Sequence, residues 1–462
     1  MIKLDLQTVA EACHGELQGE NLTFLGVGTD TRADLRGKLF IAIKGERFDA
    51  HDFVSKAEEQ GAIALLVARA VESALPQVIV ADTRIAMGEL ARHWREHLAL
   101  KVVGLTGSVG KTTVKEMLAS ILRTDAPTLA TKGNFNNDIG VPLTLFDLSG
   151  AHKYAVIEMG ANHKGEIGYC AGIAKPNVAL ITKIAPAHLE GFGSIEGVAH
   201  AKSEIYQALS SDGIAVLNNE IAFKGIVEKA IGGRRCIRYG LHKDHNDLYA
   251  DQISLDDSGC ARFTLHCAGE QMRVQLTLPG EHNVSNALAA AGAAHALRFS
   301  LEKIATGLAQ TPSVKGRVNQ RQAENGALVI DDTYNANLTS MCAALDLLAS
   351  KPTQTIAILG DMGELGEAAV EMHREVGQYA KSKNIAALYT LGNLSEQMSK
   401  AFGAGARHFT SIDELNAHLQ KTLTGREAIL VKGSRSAKME RVVAALCGDE
   451  QPATKQEQRE TR

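Results

Sequence analysis

Val102-Val103-Gly104-Leu105-Thr106-Gly107-Ser108-Val109-Gly110-Lys111-Thr112-Thr113 joins an aliphatic run, a glycine-containing turn and a Lys-Thr-Thr sequence. Beyond it, Val114, Met117, Leu118, Ile121 and Leu122 keep the three- and four-residue spacing of a helix with one apolar face. A strand, a glycine turn and a helix in that order form a phosphate-binding loop. Gly107 and Gly110 let backbone N–H groups approach phosphate oxygens, and the helix N-terminus adds partial positive charge. Lys111 is then expected at the β- and γ-phosphates and the Thr112 hydroxyl at Mg²⁺, with Thr106, Ser108 and Thr113 completing the nucleotide contacts. Leu105 stands where the full Walker pattern has glycine, so the match is to the shorter GxxGKTT form. A GTPase also wants an NKxD guanine-reading motif, which does not occur in the sequence.

The strand-then-helix rhythm continues down the chain. Aliphatic runs at Lys101 to Leu105, Tyr154 to Ile157, Asn177 to Ile181, Gly213 to Leu217, Ala327 to Ile330, Thr355 to Leu359, Ala386 to Leu391 and Ala428 to Val431 are each read as strands of mostly parallel α/β sheets. Ligands of such sheets bind at the carboxyl ends of the strands, so functional residues are expected just after these runs. Ala86, Leu90, Trp94 and Leu98 mark a helix, which puts a boundary near Asp82, and Thr311-Pro312-Ser313 marks a second. The expected division is an N-terminal α/β domain (1–82), a central P-loop domain (83–312) and a C-terminal Rossmann-like α/β domain (313–447). Residues 448–462, rich in Glu, Gln, Lys and Arg, are read as a solvated, disordered tail.

Composition narrows the function. At 462 residues the chain has room for about three cores of ordinary size. Forty-nine Lys and Arg against 53 Asp and Glu, a net charge of -4, leave no basic footprint for nucleic acid. The runs Ala62 to Ala68 and Ala287 to Ala294 fall short of the ~18 apolar residues a membrane span needs, and Asp5 and Glu11 interrupt any export signal. Seven cysteines without a CxxC pair read as reduced thiols of a cytoplasmic protein.

Four further segments follow the phosphate loop in order: Gly133-Asn134-Phe135-Asn136-Asn137-Asp138-Ile139-Gly140-Val141-Pro142, Glu158-Met159-Gly160-Ala161, Ala187-His188-Leu189-Glu190-Gly191-Phe192-Gly193-Ser194, and Gly280-Glu281-His282-Asn283-Val284-Ser285-Asn286. With Lys315-Gly316-Arg317 and Asp331-Asp332-Thr333-Tyr334-Asn335-Ala336-Asn337, this series resembles the Mur ligase family over nearly the whole chain. Asp30-Thr31-Arg32, Leu39 to Gly45 and Asp49 to Phe53 are similar to the family's uridine-nucleotide domain. Leu359 to Gly366 and Val431-Lys432-Gly433-Ser434-Arg435, without a DNPR segment, resemble the members that add D-alanyl-D-alanine rather than diaminopimelate. Lys183, Ala185 and Pro186 depart from the family's Asn, Gly and Glu, and Leu338 replaces a usual Pro.

The resemblance implies an ATP-dependent ligase that joins D-alanyl-D-alanine to a UDP-linked muramoyl tripeptide through an acyl phosphate. It implies that Glu158 and His188 hold Mg²⁺ or Mn²⁺, and that Lys202, in Ala201-Lys202-Ser203-Glu204, is carbamylated and helps to orient the metal. Asn137 is expected near the transferred phosphate, Asn283 against adenine, Asp332 at the ribose and Arg317 near the phosphates. Thr31 and Arg32 are assigned to the uridine diphosphate, and Asn335, Lys432 and Ser434, with Asp361 to Glu364, to the substrate side. Taken singly, His188 reads as a core or capping histidine, Asn283 as a helix cap, Arg317 as a surface ion-pair partner and Lys202 as a surface lysine. A monomer using small-molecule substrates is expected. The runners-up are a diaminopimelate-adding or folylpolyglutamate-type ligase and, from another class, a nucleotide-binding regulatory protein without turnover.

Overall fold

The structure, a computed structural model, describes residues 1–45 and 48–449. The expected tail therefore lies outside the described residues, apart from Gly448 and Asp449. Three sheets carry the architecture. The first is five-stranded and small, running from Glu16–Gln18 through Gln77–Ile79, Ala64–Val67 and Leu39–Ile41 to Val27–Gly28. Its inner strands are buried on both faces, which is why Ala64–Val67 reads as an unbroken aliphatic run.

The second sheet has nine strands, with Lys101–Thr106 third from one edge between Val178–Ile181 and Tyr154–Glu158, both parallel to it. Register decides what stands beside the phosphate loop: Glu158 lies opposite Leu105, and Ile181 lies opposite Thr106. Both neighbours thus end at the turn, and their following side chains face it. The helix Lys111–Arg123 buries Val114, Met117, Leu118, Ile121 and Leu122 against the sheet and the helices Asn283–Ala296 and Leu301–Leu308. Each such side chain contributes about 1.5–3 kcal/mol relative to exposure, enough to fix the loop's downstream arm. The far end of the sheet is a run the strand reading did not single out, Leu248–Leu255, Cys260–Cys267 and Glu270–Pro279, paired antiparallel.

The third sheet has six strands in the order Asn319–Gln322, Leu328–Asp332, Ala428–Lys432, Thr355–Gly360, Ala387–Leu391 and Ala406–Phe409. All its neighbours are parallel except the first pair. Asp332 and Lys432 end adjacent strands in register, which puts an acid and a base side by side at the carboxyl edge. The helix Thr83–Glu96 is capped by Asp82, whose side chain accepts from the N–H groups of Arg84 and Ile85. It packs on the central helices Gly140–Phe146 and Glu166–Ala174.

Candidate nucleotide and ligation site

Gly107 and Gly110 have φ of +154° and +84°, in the region that favours glycine. A Cβ on Gly110 would lie 2.5 Å from Asn286 Oδ1, so glycine is also what lets the helix Asn283–Ala296 approach the loop. The Lys111 ammonium donates to the Gly107 carbonyl at 2.8 Å. Burial lowers its pKa, Glu158 works against that shift, and Arg317 adds to it. Ser108 N–H donates to Lys183 O at 2.8 Å, Ser108 Oγ donates to Ala185 O at 2.8 Å, and Thr182 Oγ1 donates to Val109 O at 2.6 Å. Lys183 and Ala185, the departures from the family pattern, hold the loop through main-chain atoms, which any side chain supplies.

Beside the loop, Glu158 is 2% exposed. Its N–H donates to Thr131 Oγ1 at 2.9 Å, and the buried Lys115 ammonium donates to Thr131 O at 2.7 Å, bracing the same residue. Asn136 Nδ2 donates to Glu158 Oε1 at 2.9 Å, whereas Glu158 Oε2 is buried without a partner, as is Thr106 Oγ1. The neighbour Asn137, expected at the phosphate, instead accepts from Gly140 N–H at 2.8 Å, a local turn bond. Lys202, on the helix Ile195–Gln207, is 2% exposed and lies 5.9 Å from the Phe192 ring centroid. Burial, and then the Lys111 charge, bring its ammonium down to about 7.

His188 stands at the N-terminus of the short helix Leu189–Phe192 and faces the C-terminal domain. Its Nδ1 is 2.5 Å from Glu364 Oε2 of the C-terminal domain, which keeps the Glu364 carboxyl below the usual range. No group of three His, Cys, Asp or Glu side chains placed to hold a metal occurs among the described residues.

The opposite wall of the cleft comes from the third sheet. One cavity is lined by Ser108, Gly110, Lys111 and Thr113 on one side and by Arg317, Asp332, Asn335 and Lys432 on the other. Arg317 Nη2 donates to Thr112 Oγ1 at 3.1 Å across the domains, and its guanidinium lies 4.3 Å from the Tyr334 ring centroid. Lys432 Nζ is 2.5 Å from Asp332 Oδ2 and donates to Asn335 O at 2.9 Å. Lys432, expected on the substrate side, is placed in the cavity with Asp332 by strand register, and Asn335, beyond the strand's end, joins them by accepting from Lys432. Ser434 stays outside it: its N–H donates to Asp361 O at 2.9 Å, and its hydroxyl meets Ser436 Oγ at 3.0 Å. Asp361 accepts from three backbone N–H groups, those of Asn393, Leu394 and Ser395, and so serves the loop rather than a pocket wall. Asn283 is 3% exposed, donates to Pro279 O and accepts from Asn286 Nδ2, each at 2.8 Å. It lines a small adjoining recess with Arg317 and Val318.

In the N-terminal domain, Arg32 is exposed and ion-paired to Asp30 at 2.7 Å. Neither Thr31 nor Arg32 lines the cavity that opens between the first two sheets; Thr29, Asp30, Lys38, Lys132 and Phe135 do. Phe135, half-exposed, was missed although it is the lone aromatic in an otherwise polar turn.

Sequence and structure comparisons give the family. Family models match residues 23–95 (Mur ligase family, catalytic domain), 105–294 (Mur ligase middle domain) and 316–435 (Mur ligase, glutamate ligase domain), and the chain belongs to the Mur ligase family. Within that family it is 45% identical over 448 residues to the UDP-N-acetylmuramoyl-tripeptide–D-alanyl-D-alanine ligase of Escherichia coli, covering 96% of this chain and 99% of that one. The crystal structure of MurF from Acinetobacter baumannii superposes with a TM-score of 0.92 at 38% identity, covering 96% and 99% of the two chains. MurF ligase from Thermotoga maritima, solved in complex with ADP, gives 0.82 at 27% identity, covering 95% and 98%.

Proposed function

We propose that this chain is the ligase that adds D-alanyl-D-alanine to UDP-N-acetylmuramoyl-tripeptide, releasing ADP and phosphate. The carrying observation is one cleft with the phosphate loop and Lys111 on one body and Arg317, Asp332 and Lys432 on the other. The likeness to the E. coli ligase extends over nearly all of both chains and supports the same substrates. ATP binds with its phosphates on the loop's N–H groups and Lys111. The tripeptide carboxylate takes the γ-phosphoryl group, giving an acyl phosphate and ADP. The dipeptide's amine then attacks the carbonyl carbon, and phosphate leaves. Lys111 and Arg317 offset the charge that gathers during transfer, in a cleft that limits water.

The residues fit a divalent cation. Glu158 Oε2 is a buried carboxylate oxygen without a partner, and the Thr112 hydroxyl opens the same helix as Lys111. Oxygen and imidazole donors suit Mg²⁺ or Mn²⁺, which would supply positive charge to offset that of the phosphates. Glu158, Thr112, His188 and carbamylated Lys202 are the residues assigned to hold it. Glu158→Gln is expected to raise the Mg²⁺ concentration for half-maximal rate by about 10-fold or more at unchanged melting temperature. An unaltered Mg²⁺ curve removes Glu158 from the site.

We place domain boundaries near Asp82 and Pro312, assign the cavity at Asp30 and Phe135 to the uridine nucleotide, and read the enzyme as a cytoplasmic monomer. All seven cysteines are free, and no helix among the described residues is long and apolar enough to cross a membrane. The deciding experiment measures ADP release with each UDP-muramoyl peptide against D-alanyl-D-alanine, diaminopimelate or glutamate. Turnover is expected only with the tripeptide and the dipeptide; turnover with a single amino acid alone moves the assignment to another member of the family.

A further inference from the structure

Glu364 belongs to the loop after the strand Thr355–Gly360, yet its carboxylate reaches the central domain, where Oε2 stands 2.5 Å from His188 Nδ1. His188 Nδ1 is buried without a hydrogen bond, so the contact is an ion-pair approach. The loop is built to hold the carboxylate there. Asp361 pins it through backbone N–H groups of residues 393–395 at 2.7–3.1 Å, and Met362 N–H donates to Nε2 of the buried His373 at 2.9 Å. Met362 and Leu365 are buried on either side of Glu364. Glu364 and His188 have φ of +63° and +51°, left-handed conformations that non-glycine residues keep only where the surroundings impose them. Gly366, with φ of +57°, turns the loop beside Glu190, two residues beyond His188.

A carboxylate beside Nδ1 leaves Nε2, for which no hydrogen bond is made among the described residues, as the ring nitrogen open to a cation. That is the arrangement by which outer carboxylates orient metal-binding histidines. We propose that Glu364 is a positioning residue for His188, fixing the imidazole as a cation ligand only when the C-terminal domain is docked, so that docking and divalent-cation affinity are coupled. The proposal rests on the assignment of His188 as a cation ligand made above.

The test titrates Mn²⁺, followed as free ion by electron paramagnetic resonance, into the full-length protein with a non-hydrolysable ATP analogue. Glu364→Asn, which shortens the reach and tolerates the left-handed backbone, is expected to weaken Mn²⁺ binding by about 10-fold. Glu364→Gln, which keeps the reach but not the charge, is expected to fall between it and wild type. In a His188→Ala background the Glu364→Asn change is expected to cost nothing further. Wild-type Mn²⁺ affinity in Glu364→Asn, or an equal loss in both backgrounds, overturns the proposal alone. Unchanged affinity in His188→Ala itself overturns the ligand assignment and this proposal with it. Circular dichroism melts show whether each variant is folded.

Discussion

Lys111→Ala is expected to lower ligation by about 10³-fold or more while the protein stays folded. The ammonium lies in the nucleotide cleft, 2.8 Å from the Gly107 carbonyl, where the phosphate chain would run. Its burial penalty is only partly offset by Glu158, and an anionic phosphate offsets the remainder. The interaction therefore strengthens as charge gathers on the transferred group, and its loss falls on turnover more than on ground-state binding. Alanine suits the first turn of a helix, and the deleted side chain makes one hydrogen bond, so the melting temperature is expected to shift little. Steady-state ADP release beside a thermal melt checks both. A folded variant within tenfold of wild type would remove the phosphate-loop role.

Lys202→Met is expected to be nearly inactive and more stable than wild type. Lys202 is 2% exposed, and its ammonium is down to about 7 in the folded chain, through burial first and the Lys111 charge second. Below about pH 7 both folded and unfolded chains carry the proton, and the folded state bears the whole penalty. As pH rises from 7 towards the ordinary lysine range near 10.5, the folded chain is neutral while the unfolded chain is still protonated, so stability increases. At roughly 1.4 kcal/mol per unit, methionine of similar volume removes a penalty of a few kcal/mol below pH 7. The gain in melting temperature is largest there, in CO₂-depleted buffer, and fades above pH 10. Activity goes the other way. A neutral amine at pH 7 adds to CO₂, forming an N–C bond and releasing a proton, and the resulting carbamate carries the oxygens proposed to orient the cation. Formate or acetate is expected to restore part of the activity of Lys202→Met. Full activity without them rejects the carbamate, and a melting advantage that grows with pH rejects the burial argument.

The phosphate loop and all eight expected strands are legible because they are local: a glycine turn and an aliphatic run each depend on a few adjacent residues. The strands extend a residue or two further at their carboxyl ends in several cases, which brings Glu158, Asp332 and Lys432 into the sheets themselves. The antiparallel run from Leu248 to Pro279 escaped because its burial follows no steady period-2 alternation, mostly buried in Cys260–Cys267 and largely exposed over Asp251–Leu255 and Glu270–Arg273, and because its pairing joins segments rather than patterning one. Site contacts that cross the chain were harder still. Lys115 looks like any lysine on a helix until Thr131 is seen beneath it. Asn136 and Asn137 are indistinguishable in sequence, and only the course of the turn sends one to Glu158 and the other to Gly140. Lys432 meets Asp332 across a strand pair separated by 100 residues. Glu364 and His188 meet across a domain boundary.

The walls of the nucleotide cavity belong to two bodies with separate apolar cores, one around Val114 and Leu288, the other around Ile330 and Leu359. The two cores share no buried residue, so the bodies meet through polar contacts such as Arg317 with Thr112 and Gln320 with Ser258. A ligand that touches both walls adds its binding energy only to the state in which both are folded and joined. ATP is then a removable cross-link as well as a reactant. It ties the melting of one body to that of its neighbour, since neither wall alone carries the whole grip.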